Sequence, residues 1–99
     1  MREYIEVETD EQKRLKAQLS AGKMLIDTYN GQKAFVEYKN ILKDNPDNLD
    51  ATLGVGMALA QSGQQDDLRE AKTFLQKFVD NAPPDHPSMA TAKEILNSL

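Results

Sequence analysis

Apolar residues recur every three or four positions along most of this chain, which is the spacing of one face of an α-helix. From about residue 10 to Tyr29 the recurring positions are Leu15, Leu19, Gly22, Leu25, Ile26 and Tyr29. Thr9 and Gln12 have the spacing of a capping box at the start of this helix. Asn30-Gly31 is the predicted exit, because both residues tolerate a left-handed conformation.

Four further helices follow from the same spacing. The second covers about 32–44 and ends before Pro46, and the third covers 49–62, between an Asn48 N-cap and Gly63. The fourth begins near a capping-box-like run at 67–70 and stops before residue 83, and the fifth covers about 87–98. Only Tyr4-Ile5-Glu6-Val7 alternates strictly. The pattern predicts an all-α domain over 10–99, preceded by a short extended arm over 1–9.

One arrangement of apolar and glycine positions occurs twice, 34 residues apart. Gly22 corresponds to Gly56 and Leu25 to Leu59. A fixed period of this length is typical of helical repeat arrays, whose units bury their apolar faces against each other. The later positions Ala34 and Ala71 lie 37 apart, so the second unit holds three extra residues. We assign these residues to a surface loop at 63–67, and the alternative is a functional bulge at the same place.

The repeated positions resemble the signature of the tetratricopeptide repeat (TPR) family. The matching residues are Ala21, Gly22, Leu25, Ala34, Tyr38 and Pro46 in the first unit, and Val55, Gly56, Leu59, Ala71, Leu75 and Pro83 in the second. The aromatic and the large residue of the family's first helix are missing in both units. The resemblance implies an α-α superhelix with repeat 1 at about 15–48, repeat 2 at about 49–85 and a terminal helix at about 87–98.

The same resemblance implies a function. In this family the first helices of successive units line a concave face that holds peptides or helices of other proteins. The corresponding groove positions in this chain are Lys16, Leu19, Lys23, Ile26, Asp50, Leu53, Met57 and Ala60. Leu19, Lys23 and Met57 stand where one subclass has a clamp for a C-terminal carboxylate, so we expect no such clamp. The predicted function is a non-catalytic protein–protein interaction module.

The sequence is compatible with several different occupants of this groove. They are an apolar peptide or helix of a protein partner, a second copy of the chain or neighbouring repeats, and the chain's own arm at residues 4–7. The alternative function is therefore a structural or homo-oligomerisation module, either by itself or as part of a longer repeat protein. A further interpretation places Leu19, Leu53 and Met57 in an ordinary core between the helices.

Composition and charge argue against several other classes of protein. The chain has 16 acidic and 12 basic residues, and its densest basic cluster, 13–16, directly follows acidic residues, so we expect no nucleic-acid partner. The chain has no cysteine, which excludes disulfides, thiolate metal sites and cysteine nucleophiles. No apolar run approaches the length of a membrane span. The charged first residues do not form a signal peptide, so we expect a cytoplasmic location.

Three patterns resemble parts of catalytic, metal-binding or nucleotide-binding sites, but each is better explained by a structural role. His86 is the only histidine, so we predict neither an enzyme nor a cofactor or metal site, and place it at a helix cap or in an exposed loop. The spacing of Asp44, Asp47 and Asp50 is interrupted by a proline, which favours a solvated turn over a calcium loop. Gly54-Val55-Gly56 lacks the preceding strand of a nucleotide site, which favours helix packing. The sequence offers no packing reason for Gly54.

Overall fold

The computed structural model describes residues 9–99, which form five α-helices. They are α1 (Asp10–Asp27), α2 (Gly31–Asp44), α3 (Leu49–Ser62), α4 (Gln65–Asn81) and α5 (Met89–Ser98). The described residues contain no strand, so the predicted all-α class is confirmed. The alternating run at residues 4–7 lies outside the described residues.

Helix α3 lies at the centre of the fold. Each helix packs against the next one in the chain, and α3 also contacts α1 and α5. Residues 51–56 of α3 are consecutively buried, as expected for a helix with neighbours on every side. One apolar cluster joins α1, α2 and α3 around Tyr38, Ile41 and Val55. A second joins α3, α4 and α5 around Leu75 and Phe78.

Three predicted helix ends are confirmed. The Thr9 hydroxyl accepts a hydrogen bond from the Gln12 backbone N–H at 3.2 Å, and the Gln12 side chain accepts one from the Thr9 N–H at 3.0 Å. At the start of α3, the Asn48 side chain accepts from the Ala51 N–H at 2.9 Å. Gly63 ends α3 in the left-handed conformation, with φ of 73°. These caps satisfy backbone groups that a helix end leaves without partners.

The end of α1 differs from the prediction. The helix stops at Asp27, and Tyr29, not Asn30 or Gly31, adopts the left-handed conformation, with φ of 60°. The Asn30 N–H donates to the Leu25 carbonyl at 2.7 Å, and the Tyr29 N–H donates to the Ile26 carbonyl at 3.1 Å. This pair of bonds is a Schellman motif, which normally has glycine at the left-handed position. Gly31 instead becomes the first residue of α2.

The predicted loop at 63–67 is also wrong. Helix α4 already begins at Gln65, so only residues 63 and 64 connect it to α3. The three extra residues of the second unit lengthen the helix: α4 has 17 residues, whereas α2 has 14. The capping box predicted at Asp67 is absent, because the Asp67 carboxylate accepts a hydrogen bond from the Ser62 hydroxyl at 2.6 Å. The insertion is therefore an additional helical turn at the start of α4.

The last helix begins later than predicted. α5 starts at Met89, and Ser88 occupies its N-cap position without a capping side-chain bond. His86 lies in the preceding turn, and its side chain is only 20% exposed. The predicted loop position of His86 before the last helix is confirmed, but its side chain is largely buried and not exposed. The imidazole instead packs edge-to-face on Phe78, with ring centroids 4.9 Å apart.

Candidate functional site

A groove of about 400 Å³ lies between α1, α3 and the start of α5, and we call it the α1–α3–α5 groove. Its volume is within the usual range of small ligand-binding clefts. It is lined by Leu19, Ser20, Lys23, Ile26 and Asp27 of α1, Tyr38 of α2, Asp50, Leu53, Gly54 and Met57 of α3, and Ser88 and Thr91 at the start of α5.

Most of the residues assigned to the groove from the sequence come together here. Leu19, Lys23, Ile26, Asp50, Leu53 and Met57 all line it. Lys16 and Ala60 are not part of the lining: Lys16 is exposed on α1, and Ala60 packs half-buried against the cluster around Tyr38.

The apolar lining residues belong partly to the core. Ile26 and Leu53 are each 6% exposed and are members of the two apolar clusters. Leu19 and Met57 are half-buried and keep part of their surface open. Ile26 and Leu53 therefore form the buried base of the groove as part of the core. The accessible apolar surface comes mainly from Leu19 and Met57.

The ring of Tyr38 fills the space between α1 and α3. A Cβ atom built on Gly22 would lie 2.6 Å from the Tyr38 Cζ, and one built on Gly54 would overlap the same ring. Tyr38 is 5% exposed. The two glycines thus let one aromatic side chain reach between α1 and α3, where it lines the groove.

Two carboxylates dominate the charge of the groove. Asp27 ends α1 and Asp50 lies in the first turn of α3, and both are exposed. Lys23 is the only lysine or arginine among the lining residues. Burial raises the pKa of Tyr38 to about 12, and the negative charges of Asp27 and Asp50 act in the same direction. The groove therefore carries an excess of negative charge beside a neutral phenol.

Asp50 also connects α3 to the turn before α5. Its Oδ1 lies 3.2 Å from His86 Nε2. The Ser88 backbone N–H donates to His86 Nδ1 at 3.0 Å, which assigns the proton of the neutral imidazole to Nε2, the atom that donates to Asp50. This connection brings Ser88 and Thr91 to the rim of the groove.

The sequence analysis missed Asp27, Tyr38 and the residues at the start of α5. Asp27 follows Lys23 by four residues, so helical periodicity places both on one face and would have identified it. Tyr38 was assigned to the space between units but not to the groove. No local pattern identifies Ser88 or Thr91, since their position depends on the contact between His86 and Asp50.

Comparisons of this chain with protein-family models, with curated proteins and with solved structures gave no significant match. Among residues 9–99, no group of three or more potential metal ligands is placed to hold an ion. None of the five helices has the length and apolar character that crossing a lipid bilayer requires.

Proposed function

We propose that this protein is a TPR-like interaction module that holds an apolar segment of another protein in the α1–α3–α5 groove. The observation that carries the proposal is the shape and lining of this groove. Six positions chosen from the repeat pattern line one open cleft between three helices. Half-buried apolar side chains beside exposed charged ones are the surface that an amphipathic helix or apolar peptide needs.

The packing of the two helix pairs supports the resemblance to tetratricopeptide repeats. A Cβ atom on Gly22 would meet Tyr38, and a Cβ atom on Gly56 would lie 2.9 Å from the Leu75 Cγ. Each pair therefore has a glycine of the first helix covered by a large residue of the second, at matching positions of the repeat. The contacts of α3 with both α1 and α5 are those expected when first helices form one face.

In this proposal Leu19 and Met57 provide most of the apolar contact area. Lys23 and Asp50, which are exposed at the groove, set the orientation of the bound segment. Exposed charges of this kind contribute little affinity but select among orientations. Met57 has a flexible side chain that adapts to differently shaped apolar groups.

The test uses a library of random 16-residue peptides displayed on phage and selected on the full chain. The groove is blocked by Ser20→Trp, which adds a large ring at an exposed lining position, and Asn40→Trp on the exposed surface of α2 is the matched control. We expect selected peptides to lose at least about tenfold in affinity for the Ser20→Trp variant and to bind the control as before.

Two results would instead identify another occupant. A stable dimer in sedimentation equilibrium that Ser20→Trp dissociates means that a second copy fills the groove, and the protein is an oligomerisation module. Peptide binding that appears only in an Ile5→Asp/Val7→Asp variant means that the chain's own arm covers the groove.

A further inference from the structure

One imidazole joins three helices at the end of the groove where α3 and α5 begin. His86 Nε2 lies 3.2 Å from Asp50 Oδ1 on α3, and the ring packs edge-to-face on the buried Phe78 of α4. The other ring nitrogen, Nδ1, accepts the hydrogen bond from the Ser88 N–H at the start of α5. Asp50 and Ser88 both line the groove, so the imidazole connects two of its sides.

The bond from Ser88 belongs to a tight turn that leads directly into α5. The Met89 N–H donates to the His86 carbonyl at 3.0 Å, which closes the turn. Ser88 has φ of −96° and ψ of 3°, the values of the third residue of a type I turn, and Pro87 occupies the favoured second position. The first residue is often aspartate or asparagine, whose side-chain oxygen accepts from the N–H two residues on. His86 Nδ1 takes that role here, so the turn depends on a nitrogen that can be protonated.

Protonation of His86 has opposite effects on its two hydrogen bonds. An imidazolium carries an N–H on both nitrogens and has no acceptor, so its Nδ1–H would face the Ser88 N–H and that bond is lost. The bond from Nε2–H to Asp50 becomes charge-assisted and therefore stronger. The ring stays with α3 and α4, while the start of α5 is released.

Asp50 is the charged group that faces the imidazole. From α4 the ring meets the uncharged Phe78, and from α5 it meets the Ser88 N–H. Asp85 precedes His86 in the turn and is exposed. Among residues 9–99, no charged group other than Asp50 makes an ion pair or hydrogen bond with the ring. Histidine ordinarily changes charge between about pH 5 and 8, a range in which exposed carboxylates stay ionised.

We propose that His86 makes the α5 side of the groove sensitive to pH: the neutral imidazole binds Ser88, and the imidazolium releases it while it stays bonded to Asp50. Ser88 and Thr91 are the groove residues at the start of α5, so their release changes this side of the groove. The consequence for binding rests on the proposed function. A segment held in the groove should bind more weakly in acid.

The release itself is measured without any partner. The ¹⁵N-labelled full chain is titrated by NMR from about pH 8 to pH 5. At the alkaline end the ring nitrogens of His86 should show the proton on Nε2. On acidification the Ser88 amide proton should shift upfield with the same midpoint as the ring, because it loses its hydrogen bond. A Ser88 amide that does not follow the ring, or a proton on Nδ1 at the alkaline end, would overturn the proposal.

Two variants separate protonation of His86 from other effects of acid. His86→Asn supplies a side-chain oxygen to the same turn and cannot titrate, whereas His86→Ala supplies no acceptor at any pH. At about pH 5 the Ser88 amide should exchange with solvent about fivefold more slowly in His86→Asn than in the wild type or in His86→Ala. Equal exchange in His86→Asn and the wild type would contradict the loss of this bond.

The peptide selection separates this inference from the proposed function. Groove-binding peptides without histidine should bind the wild type about fivefold more weakly at pH 5 than at pH 8, and should bind His86→Asn equally at both. Equal affinity of the wild type at both pH values would overturn the effect on the groove and leave the interaction module intact. Release of Ser88 in acid, with no groove-directed peptide selected, would support the pH-dependent contact and reject the proposed function.

Discussion

The ring of Tyr38 covers Gly54 so closely that a single methyl group on this glycine would overlap it. Glycine within a helix is usually unfavourable by about 1 kcal/mol relative to alanine, because its backbone loses more freedom on folding. Its place in the middle of α3 therefore needs a compensating contact. The aromatic ring between α1 and α3 is that contact, and it explains the one glycine for which the sequence offered no reason.

Gly54→Ala should therefore destabilise the protein although alanine is the better helix former. We expect a loss of about 2 kcal/mol in the free energy of unfolding, since the added methyl displaces a ring that is packed on both sides. Urea denaturation followed by circular dichroism measures this change. Ala17→Gly, at an exposed position in α1, is the control and should lose about 1 kcal/mol from the backbone effect alone.

The origin of the Gly54→Ala effect is established by a double variant. In a Tyr38→Leu background the steric conflict is smaller, so Gly54→Ala should become neutral or stabilising. An unchanged cost in that background would show that Tyr38 is not the group that requires glycine.

The sequence predicted the helices better than the connections between them. The spacing of Leu15, Leu19 and Ile26 follows from burial of one helix face, which is a local property of the chain. The three extra residues near Gln65 carry no such signal, because polar residues are compatible with either a loop or an exposed helical turn. Their helical conformation depends on how α4 packs on α3.

The candidate site was predictable to the extent that it follows helical periodicity. The resemblance to tetratricopeptide repeats, transferred through the 34-residue register, predicted that Lys23 and Asp50 line one groove. The roles of Tyr38 and His86 were not predicted, because their contributions depend on a ring passing between two helices and on a contact across 36 residues of chain.

Tyr29→Gly should stabilise the protein. Tyr29 holds a φ of 60° at the end of α1, a conformation that is unfavourable for residues with a Cβ atom, and its side chain is 85% exposed. Glycine relieves the strain while little buried surface is lost, so we expect a gain of about 1 kcal/mol in thermal or urea denaturation. Tyr29→Ala is the matched control, since it removes the same side chain but keeps the strain. Equal stability of the two variants would contradict this explanation.

Lys39 should stabilise the packing of α2 against α4. Its Nζ lies 5.7 Å from the centre of the Phe35 ring and 5.5 Å from that of Phe74, so one cation interacts with an aromatic ring on each helix. Cation–π contacts at exposed positions contribute about 0.5–1 kcal/mol each. Lys39→Met keeps a long apolar side chain and should lose about 1 kcal/mol of unfolding free energy.

The control for this contact is Lys72→Met on the exposed surface of α4. Removing a positive charge there changes the net charge equally but affects no ring contact. If the two methionine variants unfold at the same urea concentration, the aromatic contacts of Lys39 do not contribute to stability.

Alkaline pH should destabilise the protein through Tyr38. Its pKa is raised from 10.0 to about 12 in the folded protein, by burial first and then by Asp27 and Asp50. The unfolded chain therefore releases this proton at lower pH than the folded chain does. The contribution of the neutral Tyr38 phenol to the free energy of unfolding is complete below pH 10. It falls by roughly 2–3 kcal/mol as the pH rises to about 12.

Urea midpoints measured from pH 9 to pH 12 would follow this loss. Tyr38→Phe keeps the ring but cannot ionise, so its midpoint should fall less steeply over this range. Parallel curves for the two proteins would mean that other groups cause the alkaline unfolding.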